Sequence, residues 1–278
     1  MSFTDCDIHI HTNLSLCARS EATAEDYIQA AKSANLKLIG FANHYWDEHV
    51  PGPNGFYEPQ DTAHVLKLKE NWAELEALAG EDLKLLFGCE TEFAHGDLGI
   101  TEERAALFDY VLVPHSHTHM RGFVLPEGEE SPEKHAAYLV RSFLALASHP
   151  MAKKWITGIV HPFYPCGTYG DEVTEIFRHI SDSAFSEAAA AAKENEIAIE
   201  LNASSFTQVP PAALEEYHRF FAACQKAGCK FFAGSDLHQP VFSPSSSSFF
   251  WLERVADAWG IENRLTPEEL WAGRVKAR

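Results

Sequence analysis

Short apolar runs alternate with amphipathic segments along the whole chain, and most of these runs end in a residue that can bind metal. Six of them span residues 6–11, 38–44, 85–90, 110–117, 156–161 and 231–238. Apolar runs of this length predict buried β-strands. A seventh candidate, residues 196–202, alternates apolar and polar positions before it ends at Asn202.

Segments with helical spacing separate these strands. They are residues 21–31, 61–79, a helix opened by Ser131-Pro132-Glu133, residues 181–194, a helix from Pro210 to near Gly228, and a helix opened by Thr266-Pro267. Ser131 and Thr266 each precede a proline, which is typical of a helix N-cap followed by its first residue. The alternation of strand and helix predicts parallel strands with right-handed crossovers.

Six ligand-type residues at the same end of successive strands indicate a barrel whose carboxyl-terminal mouth holds a metal cluster. We expect one domain over residues 1–278. Two long loops, 47–60 and 239–248, follow ligand-bearing strands and should lie over this mouth, where they could shape access of the substrate.

Composition narrows the function. The chain has 278 residues, of which 46% are hydrophobic and 22% charged, as in an ordinary globular domain. Its formal net charge of −18 argues against a nucleic-acid groove, which needs Lys and Arg for phosphate contacts. A small phosphorylated substrate stays compatible, because bound divalent cations reverse the local sign of a site.

The expected compartment is the cytoplasm. The first residues lack a basic segment followed by an apolar one, so we expect no signal peptide. No apolar stretch approaches the length of about 18 residues that a membrane-spanning helix needs. The six cysteines contain no CxxC pair and lack the density of a disulfide scaffold, which favours reduced thiols. Nothing in the sequence indicates the oligomeric state.

Two pairs of residues, each separated by one position, are the first candidates for metal binding or catalysis. His9 and His11 point to the same face of a strand, where both can reach one ion. Asp236 and His238 repeat this spacing directly after an apolar run, a position with little structural use without an ion or a catalytic role. Glu90 also ends a buried run, so its carboxylate must bind metal or form a salt bridge; it could bridge two cations.

Further histidines end other strands. His44 and His161 could each be a packing residue, but at equivalent strand ends they are better explained as ligands. Imidazole nitrogen suits zinc and its neighbours, whereas carboxylates also admit manganese or magnesium. His115, His117 and His119 alternate after the fourth strand, although one ion needs only one or two of them.

In chain order, these residues resemble the motifs of the polymerase-and-histidinol-phosphatase (PHP) superfamily. The matching motifs are Asp7-x-His9-x-His11-Thr12, His44, Gly88-x-Glu90, a histidine after the fourth strand, His161-Pro162 and Gly234-Ser235-Asp236-x-His238. The resemblance covers essentially the whole chain, and the chain is most similar to the histidinol-phosphatase-like branch. It implies a distorted (β/α)7 barrel with a two- or three-metal phosphoesterase site.

The resemblance also implies a ligand set. One metal would be held by His9, His11, Glu90 and Asp236. Glu90 would bridge to a second metal, held also by His161 and by His117, with His115 as the competitor. His44 and His238 would help hold a third. The ions would be zinc, manganese or iron, with magnesium also compatible.

The first motif departs from the family at one position. Many members carry a third histidine where this chain has Cys17. A thiolate binds zinc well, so the third site could persist with a different metal preference. Alternatively it is empty and the centre is binuclear.

The implied reaction is hydrolysis of a phosphomonoester of a small metabolite. A hydroxide that bridges the first two metals would attack phosphorus in line. Asp236 or His238 would relay protons to the leaving alcohol, and Arg121 would clamp the phosphate, unless it is simply an exposed loop residue.

Two other functions compete with this one. An amidohydrolase-like enzyme would cleave a C–N or ester bond, but such barrels commonly add a bridging lysine, and no lysine follows a strand end here. A non-catalytic metal-binding module should have lost ligands, and only Cys17 departs from the pattern.

Overall fold

Seven parallel strands form a nearly closed barrel in the computed structural model, which describes residues 2–52, 55–58, 60–243 and 247–273. The strands are β1 (Cys6–Ile10), β2 (Leu38–Tyr45), β3 (Lys84–Thr91), β6 (Tyr110–Pro114), β7 (Gly158–Val160), β8 (Ala198–Asn202) and β9 (Phe231–Gly234). They lie in the order β1-β2-β3-β6-β7-β8-β9, all parallel. The predicted (β/α)7 barrel is confirmed, and so is each of the seven predicted strands.

A bridge between the first and last strands closes the ring. The backbone N–H of His11 donates to the carbonyl of Leu237 at 2.9 Å, and the N–H of Asp236 donates to the carbonyl of His9 at 2.8 Å. This closure brings the two ends of the sequence together at the carboxyl-terminal mouth. The remaining two strands, β4 (Phe93–Ala94) and β5 (Asp97–Leu98), form an antiparallel hairpin after β3 that the sequence pattern did not predict.

Helices cover the outside of the barrel. They are α1 (Ala24–Ser33), α2 (Thr62–Val65), α3 (Lys67–Glu70), α4 (Trp72–Ala79), α5 (Glu102–Ala105), α6 (Pro132–Ala147), α7 (Ala152–Trp155), α8 (Asp171–Arg178), α9 (Asp182–Glu194), α10 (Ala203–Gln208), α11 (Leu214–Ala227), α12 (Leu252–Ala258) and α13 (Pro267–Gly273). Short 3₁₀ turns cover Phe3–Asp5, Pro211–Ala213 and Ser248–Trp251. Among the described helices none is long and apolar enough to cross a membrane.

Most helix ends follow their local sequence. Ser181 accepts a hydrogen bond from the N–H of Ala184 at the start of α9, and Gly228 ends α11 in the left-handed conformation, with φ of 77°. The single helix expected over residues 61–79 is broken into three. Asn71, with non-helical angles (φ −110°, ψ 19°), separates the second piece from the third.

Apolar side chains fill two layers. A large cluster packs the helices against the outer face of the sheet, and a smaller one fills the barrel interior. Tyr110 lies in the interior cluster, where its hydroxyl donates to the carbonyl of Ile8 at 2.7 Å. A Cβ added at Gly88 would overlap the Tyr110 ring, so the sequence has glycine where the ring crosses β3.

Each loop expected over the mouth includes residues outside the described part of the chain, namely 53, 54 and 59 in the first and 244–246 in the second. The described part of the first loop contacts the mouth. The Gln60 side-chain oxygen accepts the N–H of Leu16 at 2.9 Å.

Substitution of Gly88 tests the packing of the barrel interior. Gly88→Ala should lower the free energy of unfolding by about 1–3 kcal/mol, because Tyr110 must shift and strain its hydrogen bond to Ile8. Urea unfolding measures the loss. Gly55→Ala is the matched control: no atom lies within 4 Å of an added Cβ there, so its effect should stay within about 0.5 kcal/mol. Equal stability of the two variants would contradict the interior packing.

Candidate metal centre

The alternate histidines of β1 lie together at the centre of the barrel mouth. Both side chains are fully buried, and their Nε2 atoms are 3.1 Å apart. Two imidazole nitrogens this close, with both rings directed inward, can bind one ion.

Glu90 is the residue around which the other ligands gather. Its carboxylate is 1% exposed at the end of β3. Oε1 lies 3.1 Å from Nε2 of His161 and 3.6 Å from Nε2 of His9, while Oε2 lies 2.9 Å from Nδ1 of His44 and 3.4 Å from Nε2 of His11. Each oxygen therefore faces a different pair of histidines, as expected for a bridging carboxylate.

The residues after β9 complete the first group. Asp236 Oδ1 lies 3.3 Å from Nε2 of His11 and 3.7 Å from Nε2 of His9. Asp236 has φ of 56°, a conformation that is strained for a residue other than glycine. The hydrogen bond from its N–H to the carbonyl of His9 holds this turn, which directs the carboxylate at β1.

A second group lies on the other side of Glu90. The rings of His117 and His161 stack with centroids 4.6 Å apart, and Nε2 of His117 is 3.9 Å from Glu90 Oε1. His115 points elsewhere: its Nε2 accepts the N–H of Phe163 at 2.9 Å, and its ring packs against Phe143. Of the two competing histidines, the geometry favours His117.

Three histidines form a third group at the outer edge of the mouth. Nitrogens of His11, His44 and His238 all lie within 4.8 Å of one another. Cys17 borders them, with its Sγ 3.0 Å from Nε2 of His238. The chain thus brings a thiol to the place where many family members carry a histidine.

Arg121, the predicted phosphate clamp, lies apart from the cluster, and Asn202 at the end of β8 contacts the buried carboxylate of Glu200. The side chain of Arg121 is exposed, and within the described chain no hydrogen bond or ion pair joins it to the cluster; its role as a phosphate clamp stays a prediction. The side-chain nitrogen of Asn202 donates to Glu200 at 3.1 Å, and its oxygen accepts the N–H of Ser205, so Asn202 orients a carboxylate and caps α10.

Sequence reasoning missed several residues that contact the cluster, among them two carboxylates and a thiol. Glu200 and Glu92 are fully buried carboxylates that accept hydrogen bonds from Nδ1 of His9 at 2.6 Å and Nδ1 of His117 at 2.7 Å. Cys166 has its Sγ within 4.8 Å of ligand nitrogens of His117 and His161. A glutamate inside an apolar strand signals Glu200, and the spacing Glu90-x-Glu92 signals Glu92; no local pattern marks Cys166.

The charges of the cluster compensate one another. Burial alone would raise the pKa of Glu90, but the neighbouring histidines, first His44 and then His9, hold it well below its usual range. The pKa of His11 lies well below its ordinary value because of burial and of the nearby His44 and His238. Glu90 is thus ionised and His11 neutral, which are the forms that bind metal.

The residues present fit a group of divalent cations. Oε2 of Glu90 and Nδ1 of His44 are buried and 2.9 Å apart, yet among the described residues neither atom has a partner with hydrogen-bond geometry. Buried polar atoms without partners are rare unless an ion or ligand pairs with them. Nitrogen, carboxylate and thiol donors together suit zinc and neighbouring first-row ions.

Comparisons with known proteins find a similar sequence and similar folds. A curated probable histidinol-phosphatase of Deinococcus radiodurans is 27% identical over 243 residues, covering 84% of this chain and 86% of the relative.

Among solved structures, histidinol phosphate phosphatase of Lactococcus lactis, complexed with zinc, L-histidinol and phosphate, superposes with a TM-score of 0.71 at 18% identity, covering 94% of this chain and 95% of that one. A putative histidinol phosphatase of Listeria monocytogenes superposes with a TM-score of 0.57 at 12% identity, covering 84% and 96%. These two show the same fold.

The family model of the PHP domain matches residues 7–204, which run from the first motif through β8. This match covers well over half of the 278 residues, and it spans the residues from His9 to His161 that meet at the barrel mouth. The chain belongs to the PHP domain family.

Proposed function

We propose that this protein is a metal-dependent phosphatase that hydrolyses a phosphomonoester of a small metabolite. The observation that carries the proposal is Glu90, a buried carboxylate whose two oxygens face separate groups of histidines at the mouth of a PHP barrel. Metal-dependent phosphate release by the purified protein is the test.

The residues divide into three proposed metal sites. His9, His11, Glu90 and Asp236 would hold the first; Glu90, His117 and His161 the second; His44 and His238 would contribute to the third. Divalent ions bound there would neutralise charge on the phosphoryl oxygens and activate water at neutral pH.

Asp236 and His238 are proposed to move the proton to the leaving alcohol. Both are partly exposed at the mouth, with side chains 19% and 32% accessible, whereas Glu90 and the two β1 histidines are buried. A group that donates a proton to a departing substrate must reach solvent or substrate, and these two do. The Nδ1 atom of His238 lies 2.9 Å from the backbone carbonyl oxygen of Asp236 and 3.7 Å from its Oδ1, so the two groups border the same part of the mouth.

L-Histidinol phosphate is the proposed substrate. The curated relative in Deinococcus and the Lactococcus structure are both described as histidinol phosphatases. A panel of L-histidinol phosphate, a nucleoside monophosphate, a sugar phosphate and an aryl phosphate tests this. A kcat/KM for L-histidinol phosphate at least about tenfold above the others, roughly 1.4 kcal/mol in transition-state binding, supports the proposal. Equal values would reject it and leave the phosphatase class intact.

The amidohydrolase alternative finds no support in the described structure. Its bridging lysine would have to lie at a strand end, but Lys153 and Lys154 belong to α7, before β7, and each is more than half exposed. A non-catalytic module is disfavoured too, since the predicted ligands converge around Glu90.

Glu90→Gln removes the negative charge that the two groups of histidines share, without changing the shape of the side chain. Phosphate release should fall at least about 10²-fold, because the two proposed metals lose their common ligand. The measurement is steady-state hydrolysis at saturating metal, with circular dichroism to verify the fold. Glu102→Gln, an exposed carboxylate on α5, is the control and should keep native activity. An active Glu90→Gln protein would contradict the bridging role.

Cys17 tests the third site. Burial opposes its ionisation, but hydrogen bonds with His238 and His44 outweigh it and lower the thiol pKa to about 6. Alkylation by iodoacetamide should therefore reach half its maximal rate near pH 6 in the metal-free protein, whereas burial raises the pKa of Cys166 to about 12 and keeps that thiol unreactive. Zinc should block the reaction if the thiol binds it.

Cys17→Ser is the companion variant, measured by elemental analysis. Loss of one zinc per chain would support a thiolate-bound third ion. Unchanged metal content, together with unprotected alkylation in zinc, would show that the thiol is not a ligand.

A further inference from the structure

Glu200 is a fully buried carboxylate directly beneath the metal centre. It lies on β8, a strand that contributes none of the proposed ligands. Three donors contact it: Nδ1 of His9 at 2.6 Å on Oε1, and the backbone N–H of His161 at 2.7 Å with the Asn202 side chain at 3.1 Å on Oε2. A buried carboxylate is costly unless its oxygens are satisfied, and here each oxygen has a partner.

The contact with His9 fixes the state of that ring. A carboxylate accepts but does not donate, so the hydrogen of His9 resides on Nδ1. When the ring is neutral, its lone pair is therefore on Nε2, which faces His11 Nε2 at 3.1 Å, Glu90 Oε1 at 3.6 Å and Asp236 Oδ1 at 3.7 Å. These atoms are the proposed ligands of the first metal.

The contact with His161 fixes a strained backbone. His161 has φ of 30°, which is unfavourable for a residue with a side chain. In this conformation its N–H donates to Glu200 Oε2, and its Nε2 lies 3.1 Å from Glu90 Oε1. The same carboxylate therefore orients one ligand of the first metal and one of the second.

A glycine on the neighbouring strand β9, Gly234, leaves space for the Glu200 carboxylate. A Cβ added at Gly234 on β9 would overlap Oε1 of Glu200 and lie 2.9 Å from Cβ of His9. Gly234 has no positive φ that would require glycine, so close packing against the carboxylate is the reason for its small size.

We propose that Glu200 is a positioning residue that orients His9 and His161 together and thereby sets the affinity of two metal sites at once. Outer carboxylates that hold metal-binding histidines typically change metal affinity 10–100-fold when removed. The inference rests on the proposed metal centre, but it adds a group outside the ligand set and a coupling between two sites.

Glu200→Gln is the direct test, since an amide has one acceptor oxygen and must turn its NH₂ group toward a donor on one side. Zn²⁺ affinity is measured on the chelator-stripped full-length protein by competition with a chromophoric chelator. We expect binding at two sites to weaken together by about 10–100-fold.

Asp47→Asn is the matched control. Asp47 is also fully buried and also has a hydrogen-bond donor on each oxygen, the backbone N–H of His49 at 2.9 Å and that of Thr101 at 3.0 Å. It contacts none of the proposed ligands, and it lies in a separate surface group with Glu48 and His49, so zinc affinity is compared at the sites of the barrel mouth. Thermal unfolding of the metal-free proteins should show losses in both variants, whereas only Glu200→Gln should lose zinc affinity. A merely structural role for Glu200 would lower stability in the same way and leave the zinc affinity native.

Gly234→Ala provides a second variant, because the added Cβ displaces the Glu200 carboxylate without removing its charge, and it also crowds Cβ of His9. It should reproduce the loss of affinity at two sites. Native affinity in either folded variant would overturn the positioning role, while the native protein would still bind zinc and the proposed function would stand. Failure of the native protein to bind zinc would instead overturn the metal centre, and this inference with it.

Discussion

The arrangement of the barrel mouth depends on one constraint, the burial of the Glu90 carboxylate. A group 1% exposed and ionised must be compensated by nearby positive charge or by hydrogen-bond donors. Histidines from β1, β2 and the segment after β7 supply part of this compensation, and they approach Glu90 from different directions. Divalent cations would supply the rest, which is why removal of the charge on Glu90 should affect both proposed metal sites that share it.

A second layer of carboxylates holds the histidines in place. Glu200 and Glu92 each accept a hydrogen from Nδ1 of a histidine whose Nε2 faces the centre. Glu92 is in turn bonded to the hydroxyl of Tyr57 at 2.8 Å, which ties the loop after β2 to His117. The loop over the mouth and a proposed metal ligand are thereby joined in one hydrogen-bond network.

The sequence predicted the barrel and the ligands for the same reason. A strand of five or so residues that ends in a charged or imidazole side chain has a local signature, and parallel strands place all such ends at one edge. Local sequence could not decide between His115 and His117. The decision depends on Phe163, in the loop after β7, whose backbone N–H donates a hydrogen bond to Nε2 of His115. The role of Glu200 was missed because it depends on hydrogen bonds with His9 and His161, which are distant in sequence and leave no pattern of residue spacing.

Helix boundaries were likewise predicted well where residues close in sequence determine them, and poorly elsewhere. Ser131, Ser181 and Gly228 act through their own neighbours in sequence, so the helices they flank were predicted closely. The segment 61–79 keeps an apolar helical spacing throughout, yet Asn71 breaks it, because the spacing reports which face is buried rather than whether the backbone is continuous.

Elemental analysis of the purified protein, followed by stepwise return of Zn²⁺ or Mn²⁺ to the chelator-stripped chain while phosphate release is measured, tests the central claim most directly. The account predicts at least two divalent ions per chain and hydrolysis that appears only as the second ion binds. Hydrolysis by the metal-free protein, or a folded protein that takes up no ion, would contradict it.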